Sequence, residues 1–171
     1  MCIWRFEMKT ILKHSDKSHI ISTHPCFSPE AHNRFGRIHL PVAPACNIQC
    51  KYCIRKYDCA NESRPGITSR VLAPHEALER VRSLVERNER LTVIGIAGPG
   101  DPLTNDATFE TFSAIHREYP DLTLCVSTNG LLLSDRLDDL IKAGVSSLTV
   151  TINAVTLEMA EKIYSWVSPR V

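Results

Sequence analysis

The stretch CNIQCKYC, residues 46–53, places three cysteines within eight positions: Cys46, Cys50 and Cys53. A structural zinc site needs four protein ligands and usually comes as paired CxxC units. A thioredoxin-like CxxC would use Cys50 and Cys53 and leave Cys46 unexplained. Three thiolates from one loop suit three corners of a cubane iron–sulfur cluster, whose fourth iron stays open to a substrate or cofactor.

The composition describes an ordinary globular protein with one core: 171 residues, 43% hydrophobic, 23% charged and a net charge of +1. This charge gives no reason to expect nucleic acid as a partner. No apolar run approaches the roughly 20 residues that span a bilayer, and the first 20 residues lack a signal-peptide core. We therefore expect a cytoplasmic protein without a membrane partner, in which clustered cysteines bind metal or carry out redox chemistry.

After residue 71 the sequence alternates regularly between helix and strand patterns. Four helices are predicted. The first begins near Pro74, and the second covers 105–118. The third begins at a Ser134 cap and ends at Gly144, and the fourth begins at a Thr156 cap. Predicted strands cover 37–42, 91–97, 122–127 and 147–152. This alternation predicts an α/β fold of βαβ units with a parallel sheet.

Ligand sites in such sheets lie at the carboxyl ends of the strands. The loops expected there are the cysteine-rich segment, GPGDPL (98–103), STNG (127–130) and NAV (153–155). Cys125 falls within the third predicted strand, close to its carboxyl end. A dinucleotide-binding GxGxxG is absent because position 103 is leucine. The unusual residues are therefore predicted to converge on one face.

The CxxxCxxC spacing, with an aromatic residue just before the last cysteine, resembles the motif of radical S-adenosylmethionine (SAM) enzymes. The resemblance implies a partial (βα) barrel, here with about four βα units and an irregular Cys/His-rich N-terminal segment. It also implies that Cys46, Cys50 and Cys53 hold a catalytic [4Fe–4S] cluster whose open iron chelates SAM. One electron from that cluster then cleaves SAM to a 5′-deoxyadenosyl radical, which abstracts hydrogen.

The same resemblance implies a set of SAM contacts. GPGDPL takes the place of the glycine-rich motif that holds the methionine end, although Pro99 and Asp101 depart from the usual Gly-Gly-Glu form. Its glycines would permit close approach of the ligand. Tyr52 is implied to contact the adenine of SAM, and Ser127 and Asn129 its ribose. The residues implied to contact the methionine end are Gly98, Gly100 and Asp101. Asn153 is implied as a further SAM contact.

Flanking residues narrow the resemblance. HPCFSPEAH (24–32), the segment 37–66, AGPGDPL (97–103) and VTINAV (150–155) are similar to the NifB family of nitrogenase cofactor maturases, over about residues 20 to 168. In that family one SAM donates a methyl group to cluster sulfide, and radical chemistry converts it to a carbide. Two auxiliary [4Fe–4S] clusters fuse into an eight-iron core, the precursor of the nitrogenase cofactor.

This resemblance also implies roles for the remaining cysteines. Cys26, His39 and Cys125 match the ligands of one auxiliary cluster, and Cys59 matches a ligand of the second. Glu62 and Arg64 are candidates for proton handling or cluster contact. The implied partners are iron–sulfur cluster donor and acceptor proteins of nitrogenase assembly and an electron donor such as ferredoxin or flavodoxin.

Two domains are expected: an N-terminal extension over 1–36 that carries an auxiliary-cluster ligand, and a radical SAM core over 37–171. The CxxC partner of the second auxiliary cluster is expected beyond Val171, so we expect this chain to form the SAM-binding cluster but not the eight-iron product alone. Two alternatives stay open. They are a radical SAM enzyme that acts on another substrate and a non-catalytic iron–sulfur cluster-binding protein.

Overall fold

The computed structural model describes residues 14–55, 59, 70–87 and 90–168. The helices, in chain order, are α1 His14–Thr23, α2 Pro29–His32, α3 Pro74–Val85, α4 Asp106–Glu118, α5 Leu133–Lys142 and α6 Leu157–Ile163. The strands are β1 Gly36–His39, β2 Ile48–Cys50, β3 Leu91–Ile96, β4 Thr123–Thr128, β5 Val145–Val150 and β6 Tyr164–Val167. A 3₁₀ turn covers Pro102–Thr104.

Four strands form one parallel sheet in the order β1-β3-β4-β5. Helices α3 and α4 connect the successive strands β1, β3 and β4, and α5 connects β4 to β5. This confirms the predicted α/β fold with a parallel sheet. None of the helices in the described ranges combines the length and apolarity needed to cross a membrane.

The core lies between one face of this sheet and the helices. Ile94, Ile96, Leu124 and Val126 alternate along β3 and β4 and pack in one cluster with helical side chains such as Phe112. All five are fully buried. Each buried side chain of this size stabilises the fold by about 1.5–3 kcal/mol. Because side chains alternate along a strand, the intervening residues point to the other face, here called the inner face.

The first strand is shorter than predicted, since it ends at His39 and not at residue 42. Pro41 has no N–H to donate, which interrupts the ladder. The chain nevertheless continues beside β3. Leu40 N donates to Gly95 O at 2.9 Å, and Ala43 pairs with Pro99 in an isolated parallel bridge.

The structure contains a second sheet, with two strands, that the sequence did not predict. In it, β2 pairs antiparallel with β6. Lys51 N also donates to Ile163 O at 2.9 Å. The cysteine loop is therefore anchored to the segment that follows α6.

The helix termini confirm two predictions and correct one. Thr156 caps α6 by accepting from Met159 N at 3.3 Å, and Gly144 ends α5 with φ of +81°. The predicted Ser134 cap is wrong, because the N-cap of α5 is Leu132. A turn at Gly130, where Leu133 N donates to Gly130 O at 3.1 Å, starts the helix earlier.

We expect Thr156→Ala to lower the free energy of unfolding by about 1 kcal/mol, because it removes the cap of α6. Ser134→Ala should change it by less than about 0.5 kcal/mol, because Ser134 is exposed within the first turn. Urea denaturation of the two variants measures both values. A larger loss for Ser134→Ala than for Thr156→Ala would contradict this assignment of the caps.

Candidate active site

A pocket at the carboxyl ends of the parallel strands brings together most of the predicted site residues. Those that line it are Cys46, Cys50, Tyr52, Cys53, Cys59, Gly100, Asp101, Ser127, Asn129 and Asn153. Gly98 does not line the pocket but lies beside it, next to Cys59. Arg55 and Thr151 also line the pocket and were not predicted.

The cysteine loop is held in shape by hydrogen bonds from Gln49 and Arg55. Gln49 Nε2 donates to the carbonyls of Cys50 and Cys53 at 3.0 and 3.1 Å. Arg55 donates to Ile48 O at 2.9 Å, and its guanidinium lies 5.5 Å from the centroid of the Trp166 ring. These bonds hold the backbone of the segment that carries the thiols.

The pKa values of Cys46 and Cys53 are shifted toward the protonated thiol. Burial raises the pKa of the Cys46 thiol, and the Asp101 carboxylate adds to this effect while the Ile48 N–H and the Arg55 guanidinium oppose it. Burial and the neighbouring Cys50 raise the pKa of Cys53. Metal binding therefore has to release protons, as is usual for thiolate ligands.

The donor set suits an iron–sulfur cluster better than a single ion. Across the described part of the chain, no three His, Cys, Asp or Glu side chains converge closely enough to hold one metal ion. A cubane cluster does not require such convergence, because each thiolate binds a different iron and the ligands stand apart. Cys46, Cys50 and Cys53 face one pocket from one loop, which is the arrangement that a [4Fe–4S] cluster uses.

The GPGDP loop packs against the segment that leads into the cysteine loop. A Cβ at Gly100 would lie 2.1 Å from Ala45 O, so only glycine fits there. Gly100 N donates to Ala43 O at 2.5 Å, and Asp101 N donates to Ala45 O at 2.8 Å. The sequence predicts that Gly100 lets a ligand approach the backbone closely. In the structure, the backbone at Ala45 makes this close approach to Gly100.

Asp101 joins this loop to the end of β4. Its buried carboxylate accepts from Leu103 N at 2.9 Å, Thr128 Oγ1 at 2.8 Å and Asn129 N at 2.7 Å. Burial raises the pKa of Asp101, and these hydrogen bonds oppose the increase. The carboxylate thus sets the positions of the residues around the pocket.

Two side-chain bonds connect the other loops to the cysteine loop. Asn153 Nδ2 donates to the Tyr52 hydroxyl at 3.0 Å, and Asn129 Nδ2 donates to Asn47 Oδ1 at 2.7 Å. Leu131 N donates to Asn129 Oδ1 at 3.0 Å, which fixes the orientation of that amide. Asn47 was not predicted, although it directly follows Cys46.

A second group of predicted ligands lies on the inner face of the sheet. His39, Gly95, Cys125 and Ser147 are register partners across β1, β3, β4 and β5, and we call them the inner row. A Cβ at Gly95 would lie 2.7 Å from His39 Cδ2 and 3.0 Å from its Nε2. The imidazole therefore extends across Gly95 toward β4. Cys125 is the third of six residues in β4, not near its carboxyl end as predicted.

Cys26 is exposed, and a residue of the same face contacts its thiol. Arg37 precedes His39 by two residues in β1 and so shares its face, and its guanidinium contacts Cys26 Sγ. Cys26 N donates to Nδ1 of the buried His24 at 3.2 Å, and His24 stacks on Phe27 with centroids 4.1 Å apart. Burial lowers the pKa of His24, and the Arg37 charge adds to this effect. His24 was not predicted as a site residue.

The ligand predicted for the second cluster lies at the pocket. Cys59 N is 3.1 Å from the position of a Cβ at Gly98, which places Cys59 beside the carboxyl end of β3. Glu62 and Arg64 lie outside the described residues.

Comparison with known proteins agrees with this geometry. The radical SAM superfamily profile matches residues 40–168. The chain belongs to the radical SAM superfamily. It is 55% identical over 146 residues to the FeMo cofactor biosynthesis protein NifB of Klebsiella pneumoniae, an alignment that covers 85% of this chain and 31% of that protein.

The NifB protein of Azotobacter vinelandii is 52% identical over 145 residues, which cover 84% of this chain and 29% of that protein. The predicted resemblance to NifB is thus confirmed, and the chain spans about 30% of the length of these curated relatives. Among solved structures, BtrN in complex with AdoMet and 2-DOIA superposes with a TM-score of 0.51 at 24% identity, over 71% of this chain and 47% of that chain. This likeness supports the α/β fold, and the profile match identifies that fold as one of the radical SAM type.

We expect Asp101→Asn to lower the free energy of unfolding by about 1–3 kcal/mol, because each carboxylate oxygen accepts from a backbone N–H and an amide must turn its NH₂ toward one of them. Asp138→Asn, at an exposed position on α5, serves as the matched control and should change it by less than about 0.5 kcal/mol. Chemical denaturation of both variants provides the measurement. Equal stability of the two would show that the Asp101 bonds are unimportant.

Proposed function

We propose that this chain carries the SAM-cleaving site and a substrate-cluster site of a nitrogenase cofactor maturase. In the proposed reaction one SAM methylates a sulfide of a substrate [4Fe–4S] cluster. Radical chemistry from a second SAM converts the methyl group to a carbide, while two substrate clusters fuse into the eight-iron precursor. The similarity to FeMo cofactor biosynthesis proteins NifB supports this substrate class.

One observation carries the proposal: the pocket and the inner row meet along β4, on the inner face of one sheet. Ser127, which lines the pocket, and Cys125, in the inner row, are two residues apart on β4. Residues at this spacing point to the same face and lie about 7 Å apart along a strand. A substrate held by the inner row is therefore adjacent to the pocket in which SAM is cleaved.

The residues of the pocket form two groups, one that would hold the cluster and one that would orient SAM. Cys46, Cys50 and Cys53 would hold a [4Fe–4S] cluster. That cluster supplies the electron that cleaves SAM reductively. Tyr52 and Asn153, joined by a hydrogen bond, form one polar wall, and Ser127 and Asn129 form another. The Arg55 guanidinium adds positive charge beside the thiolates.

The residues around the inner row hold the substrate. Cys26, His39 and Cys125 supply a mixed thiolate and imidazole ligand set for one auxiliary cluster. Gly95 leaves the space in which the imidazole crosses β3. Cys59, at the edge of the pocket, supplies one ligand of the second auxiliary cluster.

The proposed partners are an electron donor such as ferredoxin or flavodoxin and the cluster donor and acceptor proteins of nitrogenase assembly, all in the cytoplasm. The cysteine loop supports a docking site for the electron donor, because it reaches the surface at Tyr52 and Ile54, which are 49% and 65% exposed. An electron can therefore enter close to the three cysteines.

Cys50→Ala should reduce 5′-deoxyadenosine formation to the level of cluster-free protein, because it removes one of three ligands in the pocket. The assay supplies anaerobically reconstituted chain with SAM and dithionite and quantifies 5′-deoxyadenosine. Cys125→Ala is the matched control and should retain SAM cleavage, since Cys125 lies outside the pocket lining. If Cys50→Ala cleaves SAM at the parent rate, the cysteine loop does not hold the SAM-binding cluster. If the parent does not cleave SAM, a non-catalytic cluster-binding protein is the better account.

His39→Ala should lower the iron content and alter the electron paramagnetic resonance (EPR) signal of an auxiliary cluster, while the signal of the SAM-binding cluster stays intact. The reason is that the imidazole belongs to the inner row and not to the pocket. His75→Ala, at an exposed position on α3, is the control. If His39→Ala binds the same iron as the parent with unchanged spectra, His39 is a packing residue and a radical SAM enzyme with another substrate becomes the better account.

A further inference from the structure

Ser147 is a member of the inner row that the proposed ligand set does not use. It lies on β5 in register with Cys125, and the residue is only 6% exposed. Among the described residues its hydroxyl has no hydrogen-bond partner. A buried hydroxyl in this state is destabilising, because it has lost its bonds to water without replacing them.

The register decides which way Ser147 faces. Between Leu124 and Cys125 the pairing with β5 shifts by one residue, so that Ser147 and not Ser146 lies opposite Cys125. From that point the register is regular, with Val126 opposite Leu148 and Ser127 opposite Thr149. Register partners on neighbouring strands point to the same face. Ser147 therefore shares the inner face with Cys125 and with the His39 imidazole that crosses Gly95.

The chemistry of Cys125, the register partner of Ser147, indicates which atom could accept a hydrogen bond from the Ser147 hydroxyl. A protonated thiol is a weak hydrogen-bond acceptor. Negatively charged acceptors form shorter and stronger bonds, and both a metal-bound thiolate and a cluster sulfide carry negative charge. An iron–sulfur species at Cys125 would thus give Ser147 the acceptor that it lacks.

We propose that the Ser147 hydroxyl donates a hydrogen bond to a sulfur atom of the iron–sulfur substrate held at Cys125 and His39. This inference rests on the proposed function and adds a substrate-binding residue to it. A hydrogen bond to cluster sulfur stabilises the more negative, reduced state, and such bonds are among the features that set cluster potentials. Ser147 should therefore make the bound substrate easier to reduce.

The test uses the full 171-residue chain with Cys46, Cys50 and Cys53 all changed to alanine, so that only the inner-row site is read. This background is reconstituted anaerobically with Fe²⁺ and sulfide, and its iron is counted. Its midpoint potential is then measured by EPR-monitored titration. Ser147→Ala, Ser147→Thr and the matched control Ser146→Ala are each added to the same background.

We expect Ser147→Ala to shift the midpoint potential to a more negative value. Ser147→Thr, which keeps the hydroxyl, should restore it at least in part, and Ser146→Ala should leave it unchanged. Without metal, Ser147→Ala should be as stable as the background or more stable, because it removes an unsatisfied hydroxyl. This opposite response of stability and potential would not arise if Ser147 only packed against its neighbours.

Two outcomes overturn the inference, and they are distinguishable. If the background binds iron and Ser147→Ala has the same potential as Ser146→Ala, the Ser147 hydroxyl does not contact the substrate, while the proposed function stands. If the background binds no cluster at all, the proposed substrate site is wrong and the role of Ser147 is wrong with it.

Discussion

The buried carboxylate of Asp101 is the interaction on which the geometry of the pocket depends. It accepts hydrogen bonds from the 3₁₀ turn at Leu103 and from the end of β4 at Thr128 and Asn129. The backbone of the same loop is bonded to Ala43 and Ala45, just before the cysteine loop. The carboxylate and the backbone of its loop together fix three loops relative to one another. Asn129 in turn donates a hydrogen bond to Asn47 within the cysteine motif.

Because side chains alternate along parallel strands, two groups of site residues lie one below the other on the same face. Ser127 belongs to the upper level, which is the pocket, and Cys125 belongs to the lower level, which is the inner row. Gly95 makes the lower level possible, because any side chain there would occupy the space of the His39 imidazole. Arg37, on the same face, contacts the thiol of Cys26. In the proposed function the sheet aligns the site that cleaves SAM with the site that holds the substrate.

Much of this arrangement is predictable from the sequence, because it depends on local patterns. The CxxxCxxC spacing, the apolar strands and Gly144 each identify their role from a few neighbouring residues. What is not predictable depends on contacts between distant segments. The pairing of β2 with β6, the packing of Gly100 against Ala45 and the Asp101 hydrogen bonds all belong to this class. The Ser134 cap failed because the turn at Gly130 starts the helix one residue before it.

The central claim is that the cysteine pocket and the inner row lie close together and bind clusters at the same time. Low-temperature EPR of the reduced, reconstituted chain tests it most directly, with single-site variants that lack the ligands of one site or the other as references. We expect the spectrum of the parent to be broadened or split by spin–spin interaction between two nearby clusters. A parent spectrum equal to the sum of the two single-site spectra would contradict it.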